Sequence, residues 1–172
     1  MAPQLASGVV SVSSTLSAFA ALKDNGQVVT WGDFNGGGDV PSDVARHLTS
    51  GVVKIFSNIW AFAALKNDGS LHTWGASWGG GDSSAVASEL LEGVVDVFTS
   101  GSTAWAALKS SGKLVVWGDT SAYAAGPLTA SAVSAKLESG VVKVFSTNKA
   151  FAVVKDDGEV VTWGFGQSAD ST

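Results

Sequence analysis

The sequence predicts an all-β protein assembled from about four three-stranded units joined by short helical connectors. Three observations predict it. One strand-turn-strand phrase recurs four times, at 7–32, 50–75, 92–118 and 139–164. Its opening glycines Gly8, Gly51, Gly93 and Gly140 step by 43, 42 and 47 residues, the period of stacked supersecondary units too small to bury an apolar face alone. The phrase is rich in Val, Ala and Trp and is closed by glycine turns, which favours strands over helices.

Each unit opens with Gly-Val-Val. Val10/Val12, Val53/Ile55, Val95/Val97 and Val142/Val144 are apolar, with Ser11, Lys54, Asp96 or Lys143 between them, the period-two pattern of a half-buried strand. The second strand reads Ala-Phe-Ala-Ala-Leu-Lys at 61–66, and its aromatic recurs as Phe19, Phe62, Trp105 and Phe151. Small alanines on its other face predict a closely approaching neighbouring sheet. Asp24-Asn25-Gly26, Asn67-Asp68-Gly69, Ser110-Ser111-Gly112 and Asp156-Asp157-Gly158 predict hairpins, with Gly in the left-handed position after a type I turn.

The third strand ends in Trp-Gly at Trp31, Trp74, Trp117 and Trp163, where a fixed place in every unit predicts a packing role. Gly36-Gly37-Gly38-Asp39 and Gly79-Gly80-Gly81-Asp82 follow as glycine loops expected to be too flexible for regular structure. Residues 42–48, 83–91 and 131–137 each begin with Ser and predict a short Ser-capped helix or turn leading into the next Gly-Val-Val. The units are therefore placed at 7–49, 50–91, 92–138 and 139–172 of a single repeat domain. Residues 3–7 match the tail of a connector. Either they complete the last unit and help to close a ring, or the units form an open array whose edges need cover.

The phrase Ala-Phe-Ala-Ala-Leu-Lys-Asn-Asp-Gly-Ser-Leu-His-Thr-Trp-Gly at 61–75, preceded by Gly-Val-Val-Lys-Ile-Phe, resembles the repeat of the regulator of chromosome condensation family. The resemblance covers nearly the whole chain and implies a propeller-like array of about four three-stranded blades. It does not carry the founding member's activity, because function separates readily from fold. Three departures stand out. The founding propeller has seven blades of longer repeats, the usual Gly-Gln-Leu-Gly-like segment is replaced by Gly-Gly-Gly-Asp, and the basic tail of the chromatin-binding member is missing.

Composition narrows the chemistry. The 172 residues are 45% apolar and 15% charged, which excludes a disordered tail. There is no Cys and there are two His, so thiolate chemistry is excluded and a histidine-rich metal site is not expected. The net charge of −5 with scattered Lys and Arg argues against a nucleic-acid partner. The opening residues carry no signal-like pattern and no apolar run is long enough to span a bilayer, so a soluble or peripheral protein is expected. His47 and His72 lack the spacing of metal ligands. The hairpin acids Asp24, Asp68, Asp156 and Asp157 supply too few oxygens for calcium, and no nucleophile, base and acid set can be assembled. No cofactor is expected.

Residues that break the repeat are the functional candidates, because packing by symmetry does not account for them. The second unit alone has Ile59 and Trp60 at its first turn, where the others have Leu16-Ser17, Ser102-Thr103 and Asn148-Lys149. It alone has Trp78 in its glycine loop. Two added tryptophans either present an aromatic patch to a partner or fold back over their own blade. Phe34, Tyr123 and Phe165 occupy the loops after Trp-Gly in the other units and would extend the patch into a rim. The expected function is a non-catalytic scaffold for protein–protein interaction, as a peripheral subunit of a larger assembly. Guanine nucleotide exchange or signalling by family analogy is the first alternative, and a carbohydrate-binding module is the second.

Overall fold

The computed structural model describes residues 2–101, 103–118 and 131–164. Four three-stranded antiparallel sheets run in chain order, each a simple up-and-down meander. Blade one holds β1 (Val9–Ser14), β2 (Ala18–Lys23) and β3 (Val28–Gly32). Blade two holds β4 (Val52–Ser57), β5 (Ala61–Lys66) and β6 (Leu71–Gly75). Blade three holds β7 (Val94–Ser100), β8 (Ala104–Lys109) and β9 (Leu114–Gly118). Blade four holds β10 (Val141–Ser146), β11 (Ala150–Lys155) and β12 (Val160–Gly164). The propeller-like, all-β architecture predicted from the repeats is therefore present.

The hairpins between second and third strands form as expected, with Gly26, Gly69, Gly112 and Gly158 at φ of 78°, 79°, 79° and 86°. The first strands depart from expectation. Val52 pairs with Lys66 and Lys54 with Leu65, so Val53 is an extra residue, and the same shift recurs in all four blades. This β-bulge rotates the strand by one position. Val52 and Ile55 are buried while Val53 is exposed, instead of Val53 and Ile55 sharing one apolar face. The same correction applies to Val95 and Val142, both exposed.

The core lies between blades, not within them. Ala18, Ala20 and Leu22 of blade one form one cluster with Leu48 and with Val52, Ile55, Phe62, Ala64 and Trp74 of blade two. Ala61, Ala63, Leu65 and Leu71 of blade two cluster with Leu90, Val94, Val97, Trp105, Ala107, Val115 and Trp117. Ala104, Ala106 and Leu114 of blade three cluster with Leu137, Val141, Val144, Phe151, Val153, Val161 and Trp163. Each blade thus has a trailing face of small residues and a leading face of large ones. Alternation along the second strand produces both: alanines point one way, and the aromatic, one residue on, points the other. The leading aromatics stack in pairs within a blade, Phe62 on Trp74, Trp105 on Trp117 and Phe151 on Trp163, at 5.1, 5.7 and 5.2 Å between centroids.

The glycine loops are built joints, contrary to the flexibility expected of them. The Gly37 carbonyl accepts a hydrogen bond from Trp74 Nε1 at 3.0 Å, and the Gly80 carbonyl accepts one from Trp117 Nε1 at 3.0 Å. Gly80 has φ of 86°, and a Cβ there would collide with the Trp105 ring. Glycine is required because the next blade's indole presses on the backbone.

The connectors are short: α1 (Ser42–Ala45) runs into a 3-10 turn at Arg46–Leu48, Ser84–Leu90 is a 3-10 helix, and α2 spans Ser131–Lys136. Ser capping does not occur in the first two, where Pro41 and Ser83 hold the cap position without a side-chain bond. The connectors deliver Leu48, Leu90 and Leu137 into the three interfaces. No helix among the described residues is long and apolar enough to cross a membrane.

Candidate functional site: an aromatic rim

In blades one and two the turn between first and second strands lies at the same end as the loop after the third strand. Asp33 N–H donates to the Ser17 carbonyl at 2.9 Å, and Ala76 N–H to the Trp60 carbonyl at 3.0 Å. In blade two the buried Asn58 organises this end. Its Oδ1 accepts from the N–H groups of Trp60 and Ala61, both at 2.8 Å, and its Nδ2 donates to the Gly79 carbonyl at 2.8 Å. One side chain therefore fixes both the turn carrying Trp60 and the loop carrying Trp78.

The two rings meet at 4.5 Å between centroids with 56° between planes. Trp60 is half-buried, its Cβ tight against Gly79, whereas Trp78 is 55% exposed. Trp60 folds back over its own blade and packs against Trp78, which faces solvent. Ile59 is exposed, and its carbonyl accepts from Leu16 N–H at 2.8 Å, a backbone bond joining the rims of blades one and two. That bond sets Leu16, 69% exposed, beside Ile59 over a shallow depression of about 380 Å³ that also touches Asn58 and Thr99. Phe34, 71% exposed, stands on the glycine loop of blade one at the same end. Tyr123 and Phe165 lie outside the described residues.

Leu16 is the member sequence reasoning missed, because in the aligned phrases it looked like the ordinary counterpart of Ile59. Its pairing with Ile59 depends on the backbone bond between blades, which no one-dimensional pattern carries.

A second feature was also missed. The connector of blade one returns over the third strand of blade two and lays His47 on His72, with ring centroids 3.9 Å apart and planes 12° apart. Arg46 Nε donates to His47 Nε2 at 3.2 Å, and Ser70 Oγ, which donates to Asp68 at 2.6 Å, lies 3.3 Å from His72 Nε2. Burial, followed by the charges of His47 and Lys66, lowers the His72 pKa from 6.5 to about 4. His47 is also lowered, by burial and then by Arg46. Both shifts favour the neutral imidazole over the charged form. A cleft of about 350 Å³ adjoins them, lined also by Thr73 and Asp82. Among the described residues no group of three His, Cys, Asp or Glu could hold a metal ion.

Compared by sequence, the chain matches no family model and no curated protein. Its structure is similar to human WBSCR16, with a TM-score of 0.53 and 21% identity over 91% of this chain and 47% of that one. It is similar to Prp20p from Saccharomyces cerevisiae, also named yeast RCC1, with a TM-score of 0.55 and 19% identity over 94% and 45% of the two chains. The fold is that of the regulator of chromosome condensation propellers. The ectodomain of the Arabidopsis thaliana receptor kinase ACR4 is similar at the same level, with a TM-score of 0.54 and 18% identity over 95% and 53%. The chain spans about half the length of these propellers.

Proposed function

We propose that this chain is a non-catalytic interaction scaffold, a single domain of units 7–49, 50–91, 92–138 and 139–172, whose partner-facing surface is the rim of Leu16, Phe34, Ile59, Trp60 and Trp78. The observation that carries this reading is the Trp60–Trp78 pair. The buried Asn58 holds it in place, and the outer ring is left in solvent where packing of the blades does not require it. Exposed, rigidly supported aromatics are the side chains that most often anchor protein interfaces. A stable non-catalytic partner is consistent with the rim's chemistry, which offers apolar area and backbone polar groups instead of an acid–base set.

A second reading is favoured by the fold alone. Prp20p is described by its binding to Gsp1p and histones, and an exchange-factor role by analogy would place a small GTPase at the rim. Protein captured from an extract of the native source by the wild-type chain, and lost by a Trp60→Ser, Trp78→Ser bait, supports the interaction reading. Equal capture by both baits refutes the assignment of the rim. Acceleration of guanine nucleotide release from a captured GTPase selects the exchange reading, and specific signals on a glycan array move the surface to carbohydrate.

A further inference from the structure

The three interfaces inside the chain define what covers a blade, and among the described residues nothing covers the two end faces in that way. On the leading face of blade one, Val9, Val12 and Phe19 are exposed, while their counterparts in the other blades are all buried. Trp31 stacks on Phe19 at 5.3 Å as its counterparts do.

On the trailing face of blade four, Phe145 and Val160 are exposed and Ala150 and Ala152 are only half-buried, although Ala61, Ala63, Ala104 and Ala106 are fully buried in the blades before. Phe145, Ala150, Ala152 and Thr162 line an apolar hollow of about 150 Å³. In the chain's own third interface, Phe151 packs in one cluster with Ala104 and Ala106, with Phe98 against it. Phe19 on Phe145, Ala150 and Ala152 would repeat that set residue type for residue type.

We propose that these faces dock on each other between two copies of this chain, head to tail, closing a ring of eight blades. The internal interfaces supply the complementarity. Eight blades fall within the usual range of four to eight for closed propellers. A head-to-tail contact either closes or runs on as a filament, and closure with two copies covers every end face. The surfaces are distinct from the rim, so the two proposals fail separately.

The test is the mass in solution of the full chain, by light scattering and sedimentation equilibrium from low to high micromolar concentration. The expected species has twice the 17.4 kDa of one chain. Phe19→Asp and Phe145→Lys should each run as single copies. An equimolar mixture of the two should regain the doubled mass, because one junction is then wild type and the other pairs Asp with Lys. Both positions are exposed in the single copy, and Val12→Lys serves as a second leading-face variant. A wild-type chain of single mass at every concentration, a mass that grows without limit, or single variants that still pair would each overturn the proposal.

Discussion

The hexapeptide Ala-Phe-Ala-Ala-Leu-Lys occurs twice, as β2 and as β5, with the same registers to its flanking strands. Phe19 is 43% exposed and Phe62 is 0% exposed. Replacing each by Ala therefore tests location with sequence held constant. Phe62→Ala opens a closed space between Ala18, Ala20 and Trp74 and should cost about 3–5 kcal/mol, the usual range for a buried Phe. Phe19→Ala removes a ring already open to water. Full burial of a Phe contributes about 1.5–3 kcal/mol, so the buried part of this ring contributes about 1–2 kcal/mol, and no cavity is left behind. The expected gap is about 2 kcal/mol, or about 4–8 °C in melting temperature for a chain of this size. Urea unfolding followed by tryptophan fluorescence reads it in dilute solution, with a Phe145→Lys background to keep the chain as a single copy. Equal losses would refute the reasoning, because they would mean that blade one has a covered leading face within one chain.

His72→Val restores the residue type of Val29, Val115 and Val161 at the same strand position. The folded chain holds His72 at about 4 and the unfolded chain at about 6.5, so the unfolded state binds more protons between those values. Stability in wild type should therefore fall as pH drops from 6.5 toward 4, and the His72→Val melting curve should be flatter across that window. A wild-type slope of the same size in the variant would assign the acid lability elsewhere. The rim double variant Trp60→Ser, Trp78→Ser should lose its partner with a modest drop in melting temperature, since Trp78 is exposed and Trp60 is only half-buried. A large drop would instead place both rings in the core.

Much of the fold was legible because its determinants are local. Hairpin glycines take left-handed φ, alanines and aromatics alternate along the second strand, and Trp-Gly ends the third. The bulge at Val53 was not legible, since adjacent valines on both sides of the strand look the same before and after a one-residue shift. The ordered glycine loops were misread for a different reason: what orders Gly37 and Gly80 is an indole about 37 residues later in the chain. In the candidate site, Ile59, Trp60 and Trp78 stood out by breaking the repeat. Leu16 and the His47–His72 stack arise from contacts between blades, which the repeat phrase does not encode.

Stability that resides between blades makes a definite demand on amide hydrogen exchange of the single-copy chain. β5 and β8 have covered neighbours on both faces and should exchange slowest, while β1 and β12 at the two ends should open first and at a lower free-energy cost. Protection falling from the middle blades to the outer ones is the predicted result. Uniform protection across all four blades, or slowest exchange in β1, would contradict the claim that each blade is stable only by virtue of its neighbours.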